Sequence, residues 1–182
     1  MRFLTIALSL LALAACSTLN IDTAQRLHAL DAVIDDIASL LIALDLPYGL
    51  APLEDASTVS FLARSPAGER HVSATLVRAD VEDLAGTLPP PSPSRVYFLF
   101  GFSDADKVAL RDMQAWARTQ PRGSVTSVVG FAPRFCKTAP IDPDRTALSV
   151  LIALPGDTSL APLIDRQKLG EALGGKPLEQ CS

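Results

Sequence analysis

The chain has 182 residues, 48% of them hydrophobic and 5% aromatic, with 16 Lys and Arg against 20 Asp and Glu for a formal charge of −4. That length fits one domain with a real core. Its acidic balance, with no basic run and no interleaved basic and aromatic stripe, excludes a binder that works by neutralising phosphates, so no nucleic-acid partner is expected.

The chain opens with Arg2, continues through apolar residues to Ala15 broken only by Thr5 and Ser9, and reaches Cys16 after Leu13, Ala14 and Ala15. A charged start, an apolar core and a small-residue cleavage site in this order make a secretion signal over residues 1–15. As a helix, thirteen residues extend roughly 20 Å, too short for a hydrocarbon core of about 30 Å. Leu13-Ala14-Ala15-Cys16 resembles the lipobox of bacterial lipoproteins. The resemblance implies cleavage before Cys16, a diacylglyceryl group on its thiol and an acyl chain such as palmitate on its amine. More than one chain anchors a protein stably where one alone would not. Ser17 next to the cysteine implies the periplasmic face of the outer membrane. Processing would leave 167 residues and, with Arg2 lost, 15 basic against 20 acidic groups.

With Cys16 taken by lipid, Cys136 and Cys181 remain as an even pair in an oxidising compartment and are expected to be bridged. In the chain-entropy treatment such a loop is worth about 4 kcal/mol. A free thiol or a metal pair are the alternatives, although two cysteines 45 residues apart with no nearby histidine make poor zinc ligands.

Residues 16–21 read as a lipidated tether and 22–182 as a single periplasmic domain. Within Asp22 to Leu46, apolar residues from Leu27 to Leu44 recur at alternating spacings of three and four, which predicts an amphipathic helix with Asp22 and Gln25 as a capping box and Pro47 as its stop. Its apolar face is wider than a coiled-coil seam, so docking on the domain's own sheet is expected ahead of a role as a partner-binding helix. A loop around Pro47, Gly49 and Pro52 follows. Thr58–Ala63 and Arg70–Arg78 then read as a hairpin turning at Pro66-Ala67-Gly68, with Val72, Ala74 and Leu76 on the buried side and His71, Ser73, Thr75 and Val77 on the other.

A short helix over Asp80–Leu88 and a stiff connector, Pro89-Pro90-Pro91-Ser92-Pro93, lead to the apolar and aromatic run Arg95–Gly101, a central strand. Ser103 and Asp106 cap a helix to about Thr119 that offers Ala105, Ala109, Met113 and Trp116 to the core. Ser124–Phe131 and Thr146–Leu154 are two more strands, separated by the proline-rich loop holding Cys136. A last helix is expected over Leu160–Leu173, ending at Gly174-Gly175. The fold class is therefore α+β: a mixed or antiparallel sheet with helices packed on one face, preceded by an amphipathic helix.

No pattern of residues argues for catalysis or a cofactor. The two histidines, His28 and His71, have no second histidine at ligand spacing and read as surface residues, so no metal site is expected. Gly101-Phe102-Ser103 sits where a nucleophile elbow would, but Ala105 stands where glycine is needed, and no histidine follows Ser103. A serine hydrolase is thus the weaker enzymatic alternative. Asp104 with Asp106, and Asp142 with Asp144, lack the further oxygens of a calcium loop. Arg95 to Pro133, a strand, a capped helix and a strand, resembles the opening of OmpA-like peptidoglycan-binding domains and of Tad pilus assembly lipoproteins. Gly130 is followed here by Phe131-Ala132-Pro133, where an OmpA-like domain carries its ligand-binding aspartate, so no site residue is carried over. The expected function is a non-enzymatic envelope lipoprotein making protein contacts in envelope assembly or maintenance. A small-molecule or cell-wall binder using Tyr97, Phe98 and Phe100 is the alternative.

Overall fold

The computed structural model describes residues 18–31, 33–53, 56–79, 88 and 90–181. Cys16 with the whole of residues 1–15, and nearly all of the short helix expected over Asp80–Leu88, lie outside the described residues. Within them the chain is a single domain ruled by a seven-stranded sheet in the order β6-β3-β4-β5-β1-β8-β9. The strands are β1 (Leu41–Pro47), β3 (Thr58–Ser65), β4 (Gly68–Arg78), β5 (Arg95–Phe102), β6 (Thr126–Ala132), β8 (Ala147–Ala153) and β9 (Ala161–Lys168). Every neighbouring pair runs antiparallel. A separate two-stranded ladder joins β2 (Leu50–Pro52) to β7 (Phe135–Lys137). Three helices complete the described elements: α1 (Ile21–Ala29), α2 (Asp104–Arg118) and α3 (Leu169–Leu173).

The hairpin of β3 and β4 forms where alternation requires it, and Ala74 and Leu76 are buried while His71, Ser73 and Val77 face outward. β4 spends its first part on β3 and gives only Leu76, Val77 and Arg78 to β5. β5 lies in the middle of the sheet, as its unbroken apolar run demands. Phe61, Phe100, Leu44, Leu46, Leu76, Val150 and Ile152 form the main core on one face. A smaller cluster of Ala43, Leu99, Leu151, Ala153 and Leu160 occupies the other, where Ala79 and Leu88 pack on it. Leu27 of α1, Leu110 and Met113 of α2 and Leu169 of α3 all join the main core.

Two expected helices are helical only in part. The element expected over Asp22–Leu46 is helical only to Ala29, starts from Asn20, whose Oδ1 accepts Thr23 N, and gives way through a 3₁₀ turn at Ile37–Ser39 to strand β1. The cause is local competition followed by burial. Asp31 Oδ1 accepts Val33 N and Asp35 Oδ2 accepts Asp31 N, so these carboxylates satisfy backbone donors that a continuing helix would use. Leu40 to Leu46 is then buried on both faces, and a continuous apolar run of this length fits an interior strand as well as a helix. The helix expected over Leu160–Leu173 is strand β9 up to Lys168, with only Leu169–Leu173 helical before Gly174 stops it at φ 58°. The apolar spacing over this stretch is weak and pairing with β8 decides its conformation; Pro162 is tolerated because β9 is an edge strand.

The face of α2 is also rotated from the expected one. Leu110, Met113, Gln114 and Ala117 are buried, whereas Ala105 is exposed and Ala109 and Trp116 are half-buried. Gln114 is tolerated inside because its Nε2 donates to Asp35 O at 2.5 Å. Trp116 packs against the main core from its edge and also supports the Arg70 guanidinium 5.4 Å from its ring centre.

Candidate functional site

The residues singled out for chemistry do not converge. His28 on α1 and His71 on β4 are both exposed, and among the described residues no group of three or more His, Cys, Asp or Glu is placed to hold a metal ion. Ser103 is the N-cap of α2: its Oγ accepts Asp106 N at 3.1 Å and donates to Asp106 Oδ2 at 2.8 Å. That reciprocal pair occupies both the hydroxyl and the carboxylate, and Asp106 Oδ2 also accepts Thr75 N, tying the helix start to β4. Asp104 is bonded by Lys107, and Asp142 Oδ1 accepts Asp144 N within its loop.

Cys136 and Cys181 form a disulfide, with their Cα atoms 5.0 Å apart. The bond clips the C-terminal tail to β7, where Lys137 N donates to Glu179 O and Cys181 N donates to Lys137 O. Of the aromatic strand, Phe100 is fully buried, Phe98 packs on the main core and Tyr97 on the smaller cluster. Tyr97 and Phe98 are half-buried, and the Arg78 guanidinium lies over the rings of Phe98 and Phe100 at 4.5 and 5.6 Å. Burial, with Asp45 nearby as a second cause, pushes the Tyr97 hydroxyl above its ordinary pKa.

What the fold does open is a groove of about 520 Å³ between α1, α2 and the β3–β6 end of the sheet. Its walls are mostly apolar: Leu27, Leu30, Val33, Phe61, Met113 and Val129 among them, with His28, Gln114, Thr126 and Ser127 the polar side chains. The volume lies within the roughly 300–1,000 Å³ of ordinary ligand pockets. Arg118 holds one rim by donating from Nε to Val33 O at 2.8 Å. Across the linker, Arg111 and Asp36 pair at 3.0 Å, and this hydrogen bond holds the Asp36 carboxyl below its ordinary pKa.

The groove runs beside β6, and the two edges of the sheet are unlike. β9 is covered: Leu19 bridges Ile164, Asn20 N donates to Leu163 O at 2.9 Å and Asp165 N donates to Thr18 O at 2.6 Å. It is also irregular, with register shifts near Leu148 and Val150 and Arg166 at φ 52°. β6, by contrast, pairs with β3 through seven consecutive residues without a shift, and among the described residues nothing pairs with its other side. Val128 and Val129 are 58% and 45% exposed there. Neither the groove nor the open edge was foreseen, because strand order is not written in a single sequence. The one available signal is charge: between Asp112 and Asp142 there is no acidic residue, while Arg118, Arg122, Arg134 and Lys137 are basic.

Comparison with protein-family models, with curated proteins and with solved structures yields no match. The functional reading therefore rests on the residues and their geometry.

Proposed function

We propose that the chain is a lipid-anchored envelope protein, attached through Cys16 to the periplasmic face of the bacterial outer membrane. It works by protein contacts in assembly or maintenance of an envelope structure and not by catalysis. The observation that carries this reading is the lipobox-like Leu13-Ala14-Ala15-Cys16 directly ahead of a folded domain. Thr18 is already hydrogen-bonded to β9, so with Cys16 as the attachment point only about 7 Å of chain separates acyl groups from the β9 edge. In the sheet order β6 and β9 are opposite edges, six inter-strand steps apart, while α1, which starts beside β9, reaches the groove next to β6 with Leu27 and Leu30.

Membrane fractionation together with the intact mass of the mature chain tests the anchor. A chain that begins at Cys16 with added acyl mass, and whose Cys16→Ala variant leaves the membrane fraction, is the expected result. A mature chain beginning elsewhere would sink the reading. A second reading, small-molecule binding, is favoured by the apolar groove and would use residues such as Leu27 and Phe61 instead of Tyr97, Phe98 and Phe100. Photo-crosslinking in cells from Val128 separates the two: a discrete protein adduct supports protein contacts, and lipid or metabolite labelling supports the second.

A further inference from the structure

We infer that the β6 edge is a strand-addition site, and that its partner is an extended peptide segment with apolar residues at alternate positions and acidic residues at its ends. The inference rests on the protein-contact reading above and names the partner's chemistry. An edge strand exposes unpaired N–H and C=O groups, and soluble proteins usually blunt it with lysine, proline, a bulge or a covering segment. β9 has the bulge, the proline and the cover. Among the described residues β6, Thr126-Ser127-Val128-Val129-Gly130-Phe131-Ala132, has none of them, and it keeps an unshifted seven-residue ladder with β3. An added strand would therefore find a straight row of backbone partners about 23 Å long.

The side chains decide what kind of strand fits. Successive residues of an added strand point to opposite faces. On one face they would meet the groove walled by Phe61, Leu27, Leu30 and Val129, which rewards apolar side chains at every second position. Electrostatics decides the ends. Arg122 precedes β6 by four residues, Arg134 follows it by two, and both are exposed. No carboxylate lies between Asp112 and Asp142, and on neighbouring β3 Arg64 is matched by Glu69. Acidic residues flanking the apolar stretch complement these arginines. A second copy of this chain fits less well, since two β6 edges laid together would bring two sets of Arg122 and Arg134 into one interface with no carboxylate in the segment to offset them.

The test uses the full chain, purified in nonionic detergent, to pan a phage library of random dodecapeptides. Enriched sequences are expected to alternate apolar residues and to carry Asp or Glu at the ends. The double variant Arg122→Glu with Arg134→Glu, with its melting temperature checked against the parent, should weaken the best acidic-ended peptide at least tenfold and favour its lysine-ended counterpart. Amide exchange followed by NMR should show new protection at alternate residues of 126–132 on binding. No enrichment, enrichment of proline-rich or helix-patterned sequences, or binding indifferent to the arginine reversal would overturn the inference. So would a dimer in light scattering that Val128→Lys dissociates, which would give the edge to a second copy. A cellular partner crosslinked from the exposed Tyr48 or Val108 but never from Val128 would also remove the edge site, while leaving protein contact as the function.

Discussion

Replacing Cys181 by alanine removes a crosslink between residues 45 positions apart, and the size of the loss can be worked out. With a closed loop of about 45 residues, the chain-entropy relation gives roughly 13 cal/mol/K, or about 4 kcal/mol at 25 °C. For a domain of this size each kcal/mol moves the melting temperature by about 2–4 °C, so a fall of roughly 8–16 °C is expected. Cys181 is the better position to change, because Cys136 is 4% exposed and its truncation would add a packing defect to the lost bond. The assay is thermal unfolding by circular dichroism with and without reductant, with thiols counted in parallel. The parent chain should drop on reduction to the temperature of Cys181→Ala, and the variant should ignore the reductant. The tail offers an alternative outcome, since it is also held by backbone bonds between Lys137 and residues 179 and 181. If reduction exposes two thiols and speeds exchange only at the tail amides while the melting temperature stays within about 2 °C, the bond secures the tail alone, and the loop argument fails.

Three further outcomes follow from the same geometry. Arg95 bonds Asp45 Oδ1 at 2.8 Å, Asp45 O at 2.7 Å and Ala147 O at 3.0 Å, spanning β5, β1 and β8, with side chains only 19% and 16% exposed. Arg95→Ala should cost about 2–3 kcal/mol, between the values for exposed and buried pairs, and a melting shift under about 2 °C would contradict this. Ser103→Ala should cost about 1 kcal/mol as a lost N-cap, with a fluorophosphonate probe failing to label the parent; labelling at Ser103 would revive the hydrolase reading. Asp36 binds its proton less tightly in the folded chain than in the unfolded one, so its pairing with Arg111 stabilises above the ordinary carboxyl pKa of about 3.9 and is lost as pH falls through the lower folded value. The stability difference between the parent and Asp36→Asn, measured by urea unfolding, should therefore be present at pH 7 and vanish at the acid end; a difference independent of pH would refute the assignment.

Elements whose pattern is local were readable in advance. The β3–β4 hairpin combines alternation with a Pro-Ala-Gly turn, β5 is a run too apolar for an exposed strand, and Ser103 with Asp106 marks a helix start by spacing alone. Where burial on two faces decided the outcome, periodicity misled. Leu40 to Leu46 carries leucines at helical spacing because nearly every position there is buried, so any period can be drawn through it. Leu160 to Lys168 fails for the opposite reason: its spacing is weak, and strand β8 supplies the partner that no local signal announces. The rotated face of α2 includes Gln114, a buried polar residue whose amide donates to Asp35 O, 79 positions away in sequence.

The groove and the open edge share one structural cause, and that cause bears on which reading of function survives. β4 leaves β3 for β5 after supplying only three residues to the junction, so the β6-β3-β4 end is joined to the rest of the sheet by a short seam. Beyond this seam α2 packs on β4 and β3, and the groove beside β6 is walled by α1, by the linker that follows it and by Met113, Gln114 and Ala117 of α2. That linker is not helical because Asp31 and Asp35 bind its own backbone, and a continuous helix from Asp22 to Leu46 could not have supplied strand β1. The residues that defeated the helical expectation thus belong to the segment that walls the groove. Replacing Asp31 and Asp35 by alanine should loosen this wall without removing a core contact. If strand addition at β6 uses the groove, peptide affinity should then fall while the disulfide and the β5–β1–β8 centre keep their amide protection. Equal loss of protection in that centre would show that the linker supports the whole fold and has no separate part in binding.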